Sequence, residues 1–135
     1  MHILTRRTQK ARLERLYAKL EALPPHSIDM HGWAKNCGTV ACIAGHCMLG
    51  LRGYRAELKH TIIGPRLVLL HHGVAVDWET AATQYLGLSE DQAGTLFWVS
   101  GWPDTFRDRF YDNPSPEAQK GIVLARLRHF ITTGK

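Results

Sequence analysis

The sequence lacks the features that mark membrane, secreted and repetitive proteins. No apolar run approaches the roughly 20 residues of a membrane-spanning helix, and there is no internal repeat or low-complexity tract. The first residues turn basic and polar with no apolar core behind them, so they do not have the pattern of a secretion signal. Three cysteines, a small and odd number, suit reduced thiols better than a disulfide framework. These absences predict a cytoplasmic protein with no membrane partner.

The composition is that of an ordinary globular chain with a positive balance of charge. Its 135 residues, 44% hydrophobic and 21% charged, predict one domain that spans residues 1–135 around one core. Seventeen Lys and Arg against twelve Asp and Glu give a formal charge of +5. This balance favours acidic partners, nucleic acid among them, through long-range attraction. Solubility alone accounts for such a charge equally well.

Apolar spacing and capping residues predict an all-α or mostly α fold of five or six helices. A basic N-terminal helix is expected over about 5–23, with Thr5 as its N-cap and a proline pair at its end. A second helix is expected to begin at Thr39 and to run through Leu49. Later helices are predicted over 78–86, over 90–98 and from Pro116, behind the N-caps Asp77, Ser89 and Ser115.

Residues 54–76 give a mixed signal. Two apolar stretches are separated by Gly64-Pro65, and proline is well tolerated in the first turn of a helix. We therefore expect a helix at about 65–72. One short strand or hairpin within 54–76 is the alternative.

Residues 36–47 hold all three cysteines and one histidine, the densest group of reactive side chains in the chain. On a helix that begins at Thr39, Cys42 and His46 are i, i+4 neighbours, and Cys37 stands just before the helix. Three chemical roles are consistent with this spacing. In the first, Cys42 or Cys37 is a nucleophile with a histidine as its base. In the second, zinc binds Cys37, Cys42 and His46. In the third, Cys37 and Cys42 form a reversible disulfide.

A structural role for the cysteines competes with these three roles and is favoured. Cysteine is among the most buried residue types and packs as a small hydrophobe where helices lie close together. A five-residue step from Cys37 to Cys42 is also unlike the short Cys-x2–4-Cys spacing of structural zinc sites. We therefore assign no catalytic residue and no metal ligand, keep Cys37, Cys42 and His46 as the candidates for both roles, and expect no cofactor, with zinc as the alternative.

Two groups of side chains are candidates for binding a partner. The first is the basic arc of the N-terminal helix, and the second is a pair of tryptophans in an aromatic stretch that could anchor a protein. Residues 78–93 have the look of a helix-turn-helix, but Glu90 and Asp91 at the start of its second helix would repel phosphate. We read that segment as a corner between two packed helices. The candidate partner-binding residues are Arg7, Arg12, Arg15, Lys19, Trp98 and Trp102.

The motifs of residues 28–134 resemble a family of small uncharacterised proteins of bacteria and their phages. The resemblance rests on Asp29-Met30, Trp33, Cys37-Gly38-Thr39, Cys42-Ile43-Ala44-Gly45, Leu86-Gly87-Leu88, Leu96-Phe97 and Trp102-Pro103. The cysteine string is its most specific part. The resemblance implies a bacterial or phage setting and attaches no activity. The basic N-terminal helix lies outside the shared pattern.

These observations predict a small, non-enzymatic, cytosolic protein that binds a macromolecular partner. A host or phage protein is the expected partner, so the protein would be a phage-encoded regulator or an inhibitor of a host system. The first alternative is a cysteine-dependent enzyme or zinc-binding domain centred on Cys37, Cys42 and His46. The second is a nucleic-acid-binding protein that uses the basic N-terminal helix. The oligomeric state is left open.

Overall fold

A computed structural model describes residues 4–30 and 41–135 of the chain. Within these ranges the fold is mostly α, as the periodicity predicts, with a small antiparallel sheet between the second and third helices. The helices are α1 (Arg6–Ala22), α2 (Ile43–Met48), α3 (Trp78–Leu86), α4 (Glu90–Phe97), α5 (Asp104–Asp112) and α6 (Pro116–Thr133), and the strands are β1 (Tyr54–Thr61), β2 (Gly64–His71) and β3 (Val74–Val76). Short 3₁₀ turns at Pro25–Ser27 and Val99–Gly101 complete the fold.

The predicted N-caps are confirmed at four helices. Thr5 accepts a hydrogen bond from the Thr8 amide at 3.1 Å, and the side chains of the other three N-caps accept in the same way. At α4 the cap is reciprocal, because the Gln92 side chain also accepts from the Ser89 amide. These local bonds satisfy helix amides that have no partner inside the helix. At these four helices the cap therefore places the helix start without help from tertiary contacts.

The helix expected at 65–72 is wrong, because these residues form strand β2. β1 pairs with β2 along eight residues each, from Tyr54 opposite His71 to Thr61 opposite Gly64. β3 then pairs with the end of β2, so the strand order is β1-β2-β3. The alternative prediction of one short strand or hairpin is closer to the structure, but the sheet also contains a third strand and is larger than predicted. Since both faces of β2 are covered near Leu69 and Leu70, its apolar run is continuous and hides the period of two that marks a strand.

The second helix begins four residues later than predicted, at Ile43. The Ala41 amide donates to Ser27 O at 3.0 Å, and Ala41 O accepts from the Asp29 amide at 2.9 Å, in an isolated parallel bridge to residue 28. These bonds hold Ala41 outside the helix, so the extended Cys42 becomes the N-cap. Thr39, where the helix was expected to begin, lies outside the described residues.

The buried apolar side chains of the described residues form one cluster, to which α1, α2, β2 and α3–α6 all contribute. α6 packs against α1 and α5, while α2 packs against α3. The corner predicted between α3 and α4 is confirmed, and Gly87 makes the turn at a φ of 65°. The core side chains of this corner are Leu86, Leu88, Ala93, Leu96 and Phe97.

Within residues 4–30 and 41–135, no helix combines the length and apolarity that crossing a bilayer requires.

Candidate functional site

Cys42 caps α2 and is shielded from solvent. Its Sγ accepts a hydrogen bond from the Gly45 amide at 3.4 Å, and only 2% of the residue is exposed. Burial raises the pKa of the Cys42 thiol to about 11, and the amide bond to Gly45 only partly offsets that rise. A neutral, buried thiol is a poor nucleophile. The position at a helix N-terminus therefore gives Cys42 a structural bond and not a reactive thiolate.

His46 is engaged with the backbone and not with a thiol. Its Nε2 lies 2.6 Å from Ser27 O, and since a carbonyl can only accept, Nε2 carries the proton and donates. Burial lowers the pKa of His46, with a further lowering from the Lys19 charge. In the described part of the chain, no hydrogen bond joins the Cys42 Sγ to the His46 ring. The predicted pairing of nucleophile and base is therefore not formed by these two residues.

Cys47 is the second thiol that the structure describes, and it is also buried. Burial raises its pKa to about 12, against the opposing effect of the Lys19 and Arg12 charges. Among residues 4–30 and 41–135, no three His, Cys, Asp or Glu side chains lie close enough together to hold a metal ion. Cys37, the third predicted zinc ligand and alternative nucleophile, lies outside the described residues.

Two of the four predicted partner-binding cations of α1 are used inside the fold. Arg12 donates to Tyr85 O at 2.5 Å, and its guanidinium lies 4.3 Å from the centre of the Tyr85 ring. The Lys19 ammonium donates to His46 O at 2.6 Å and to Leu49 O, where it satisfies carbonyls at the end of α2. These bonds tie α1 to α2 and α3. Arg7 and Arg15 stay exposed.

The structure brings the basic arc and the cysteine helix together at one shallow groove of about 300 Å³ between α1, α2 and Tyr85. The cations Arg12, Arg15 and Lys19 line it beside His46 and Cys47. Because Arg12 and Lys19 already donate to carbonyls, Arg15 is the cation that stays exposed at this groove. The groove therefore presents one exposed cation, Arg15, beside a single buried thiol, Cys47, which is a weak basis for chemistry.

A larger groove of about 730 Å³ lies between the start of α1 and the end of α6. Arg6, Lys10, Glu14 and Arg128 line it together with the last residues of the chain. Glu14 and Arg128 bind each other at 2.7 Å, and this hydrogen bond lowers the pKa of Glu14 and raises that of Arg128. The pair joins α1 to α6, so the groove is a polar seam between two packed helices.

The two candidate tryptophans have different environments. The expectation that Trp102 anchors a partner is wrong, because this residue is only 2% exposed. Its Nε1 donates to Leu96 O at 2.9 Å, and its ring packs edge-on against the ring of Phe110. Trp98 is 45% exposed, and its Nε1 donates to the Glu79 carboxylate at 2.9 Å. Spacing in an aromatic stretch does not say which ring the fold will bury, and here the break after Trp98 turns Trp102 inward.

Among the described residues, the two large apolar side chains with the highest exposure lie on an element that the sequence did not single out. β3 pairs only with Leu69–His71 of β2, so the far half of the hairpin, residues 58–67, is a two-stranded ribbon that we call the arm. Eight of the ten residues of the arm are exposed. Ile62 and Ile63 form its tip, where Ile62 is fully exposed and Ile63 is 74% exposed. Leu58 adds a third exposed apolar side chain.

The turn at the tip has an unusual sequence for a two-residue hairpin loop. Two-residue hairpin loops favour Asn-Gly and similar pairs with positive φ, and the second turn of this sheet follows that pattern with His72 (φ 53°) and Gly73 (φ 81°). The first turn instead carries two β-branched residues, neither of which has a positive φ. Adjacent isoleucines bounded by Thr61 and Gly64 were the signal in the sequence that could have found this tip.

Comparison of the chain with protein-family models, with curated proteins and with solved structures finds no match.

Proposed function

We propose that this protein is a non-enzymatic binding protein that engages a macromolecular partner through the arm. The observation that carries the proposal is the exposure of Ile62 and Ile63 at the arm's tip. Apolar side chains held in water on a projecting ribbon contribute nothing to the core and favour aggregation unless a partner covers them. Burial of the two isoleucine side chains by a partner would remove apolar surface from water and so stabilise the complex.

The chemistry of the described cysteines supports a binding role. Cys42 and Cys47 are buried with raised pKa values, and His46 donates its Nε2 proton to a carbonyl. These residues hold α2 in place. The resemblance to small bacterial and phage proteins supports a cytosolic setting, in which a partner-binding protein of this size would serve as a regulator or as an inhibitor of a host system.

Site-specific crosslinking tests this function. A photo-crosslinking amino acid is placed at position 62, and a matched control carries it at position 111, because Tyr111 is also exposed (60%) but lies on α5. After irradiation in bacterial lysate, adducts are separated and treated with protease or with nuclease. We expect a discrete adduct from position 62 that position 111 does not give. Equal yields from the two positions, or no adduct from position 62, would contradict the proposal.

A further inference from the structure

We infer that the arm is built to enter a groove of duplex DNA, with its isoleucine tip at the base edges and its cations on the phosphates. This inference rests on the proposed function, because it names the partner class for the same arm. It also moves the nucleic-acid contact away from α1, where the sequence places it.

The charge of the arm favours a polyanion. Lys59 and Arg66 lie directly opposite each other on the two strands, a like-charged pairing that weakens a hairpin. The arm contains no carboxylate. Glu57, one step behind it, lies 3.3 Å from Lys59 and also 3.3 Å from Arg55, so one carboxylate is shared between two cations. Within the described residues, Arg66 forms no ion pair. A phosphate backbone would neutralise the Lys59–Arg66 repulsion.

The spacing along the arm matches the depth of a DNA groove. Lys59 stands three residues before Ile62, and Arg66 stands three residues after Ile63. At about 3.4 Å per strand residue, both cations lie about 10 Å behind the tip. The major groove is about 8.5 Å deep and about 12 Å wide, which admits a two-stranded ribbon. A tip at the floor of that groove therefore leaves the two cations at the height of the phosphates that border the groove.

A protein partner fits the arm less well. Stable protein interfaces bury about 800 Å² on each side and are depleted of lysine at their centres. The arm offers a narrow ribbon with a small apolar tip and paired cations behind it. Contact between an apolar side chain and base edges, such as the thymine methyl group, needs far less area when phosphate contacts supply the affinity.

Salt-dependent binding to a short mixed-sequence DNA duplex tests the inference with two charge-matched variants. Lys59→Gln/Arg66→Gln removes the arm's cations, and Arg7→Gln/Arg15→Gln removes two exposed cations of α1. Each phosphate contact contributes about 0.9 to the slope of log affinity against log salt. We expect the arm variant to lose about 1.8 of that slope and the α1 variant to lose less than half as much. An equal loss in both variants, or a larger loss in the α1 variant, would overturn the inference.

The tip is tested separately with Ile62→Ser/Ile63→Ser. Both positions are exposed, so we expect the variant to keep the wild-type circular dichroism spectrum. We expect affinity for the duplex to fall by about tenfold, since apolar burial is lost, with no change in the salt slope because no charge is removed. Duplex RNA should bind more weakly than DNA, since its deep, narrow major groove does not admit the ribbon. Unchanged affinity in the tip variant, or equal affinity for the two duplexes, would refute the groove geometry. If wild-type protein binds no DNA but position 62 crosslinks to a protein, this inference fails and the proposed function stands.

Discussion

The burial of the described thiols makes a quantitative prediction about their reactivity. A Cys37→Ser variant retains only Cys42 and Cys47, both buried. Burial raises the pKa of Cys42 from 9.0 to about 11 and that of Cys47 from 9.0 to about 12. Near neutral pH, each increase of the pKa by one lowers the thiolate population about tenfold. The thiolate is therefore about a hundredfold scarcer at Cys42 and about a thousandfold scarcer at Cys47 than in an unfolded chain.

The assay is the rate at which a chromogenic disulfide reagent labels the folded variant at pH 8, compared with the same protein in denaturant. We expect two equivalents to react at once in denaturant and to react at least about a hundredfold more slowly in the native state. Since both pKa values are raised in the folded state, the unfolded chain loses these protons first. Stability should therefore fall as the pH rises from 9 towards 11. One equivalent that reacts in native buffer at the denatured rate would refute a passive role for these cysteines.

Two further predictions concern the core and the pH dependence. A Cβ on Gly101 would lie 2.3 Å from Gly94 O, so Gly101→Ala should destabilise the fold by about 1–3 kcal/mol in urea unfolding. Gly94→Ala is its matched control: the added Cβ meets nothing within 4 Å in α4, so a gain of about 0.5–1 kcal/mol is expected, and equal losses in both would count against this packing. Burial lowers the pKa of His46 in the folded state. The stability that the neutral imidazole contributes is therefore fully present above pH 6.5 and is lost as the pH falls through the lowered pKa. His46→Gln should flatten the acid side of the stability curve, and an unchanged curve would contradict the burial of that imidazole.

Much of the helical architecture could be predicted because its signals are local. Thr5, Ser89 and Ser115 cap helices by bonding amides three residues ahead, so a window of four residues contains the whole interaction. The start of α2 could not be predicted in this way. Ala41 is held out of the helix by its bonds to Ser27 and Asp29, which are 12 or more residues away along the chain.

The candidate site shows the same difference between what local sequence predicts and what distant contacts decide. The sequence identified Cys42 and His46 as residues to examine, yet their roles follow from the Gly45 amide and from Ser27 O. The same holds for Lys19, which the helical pattern places on a solvated arc and the fold places at the end of α2. The tip isoleucines were visible in the sequence, but their exposure depends on where β3 stops pairing with β2.

The sequence by itself determined the mostly helical character, the helix starts at α1, α3, α4 and α6, and the apolar stripes that form the core, because each depends on neighbours within one or two turns. Only the tertiary structure decided that 64–71 is a strand, that Trp102 is buried while Trp98 is exposed, and that an apolar tip projects from the sheet. Those outcomes depend on cross-strand partners and on packing between distant elements, and no local pattern carries that information.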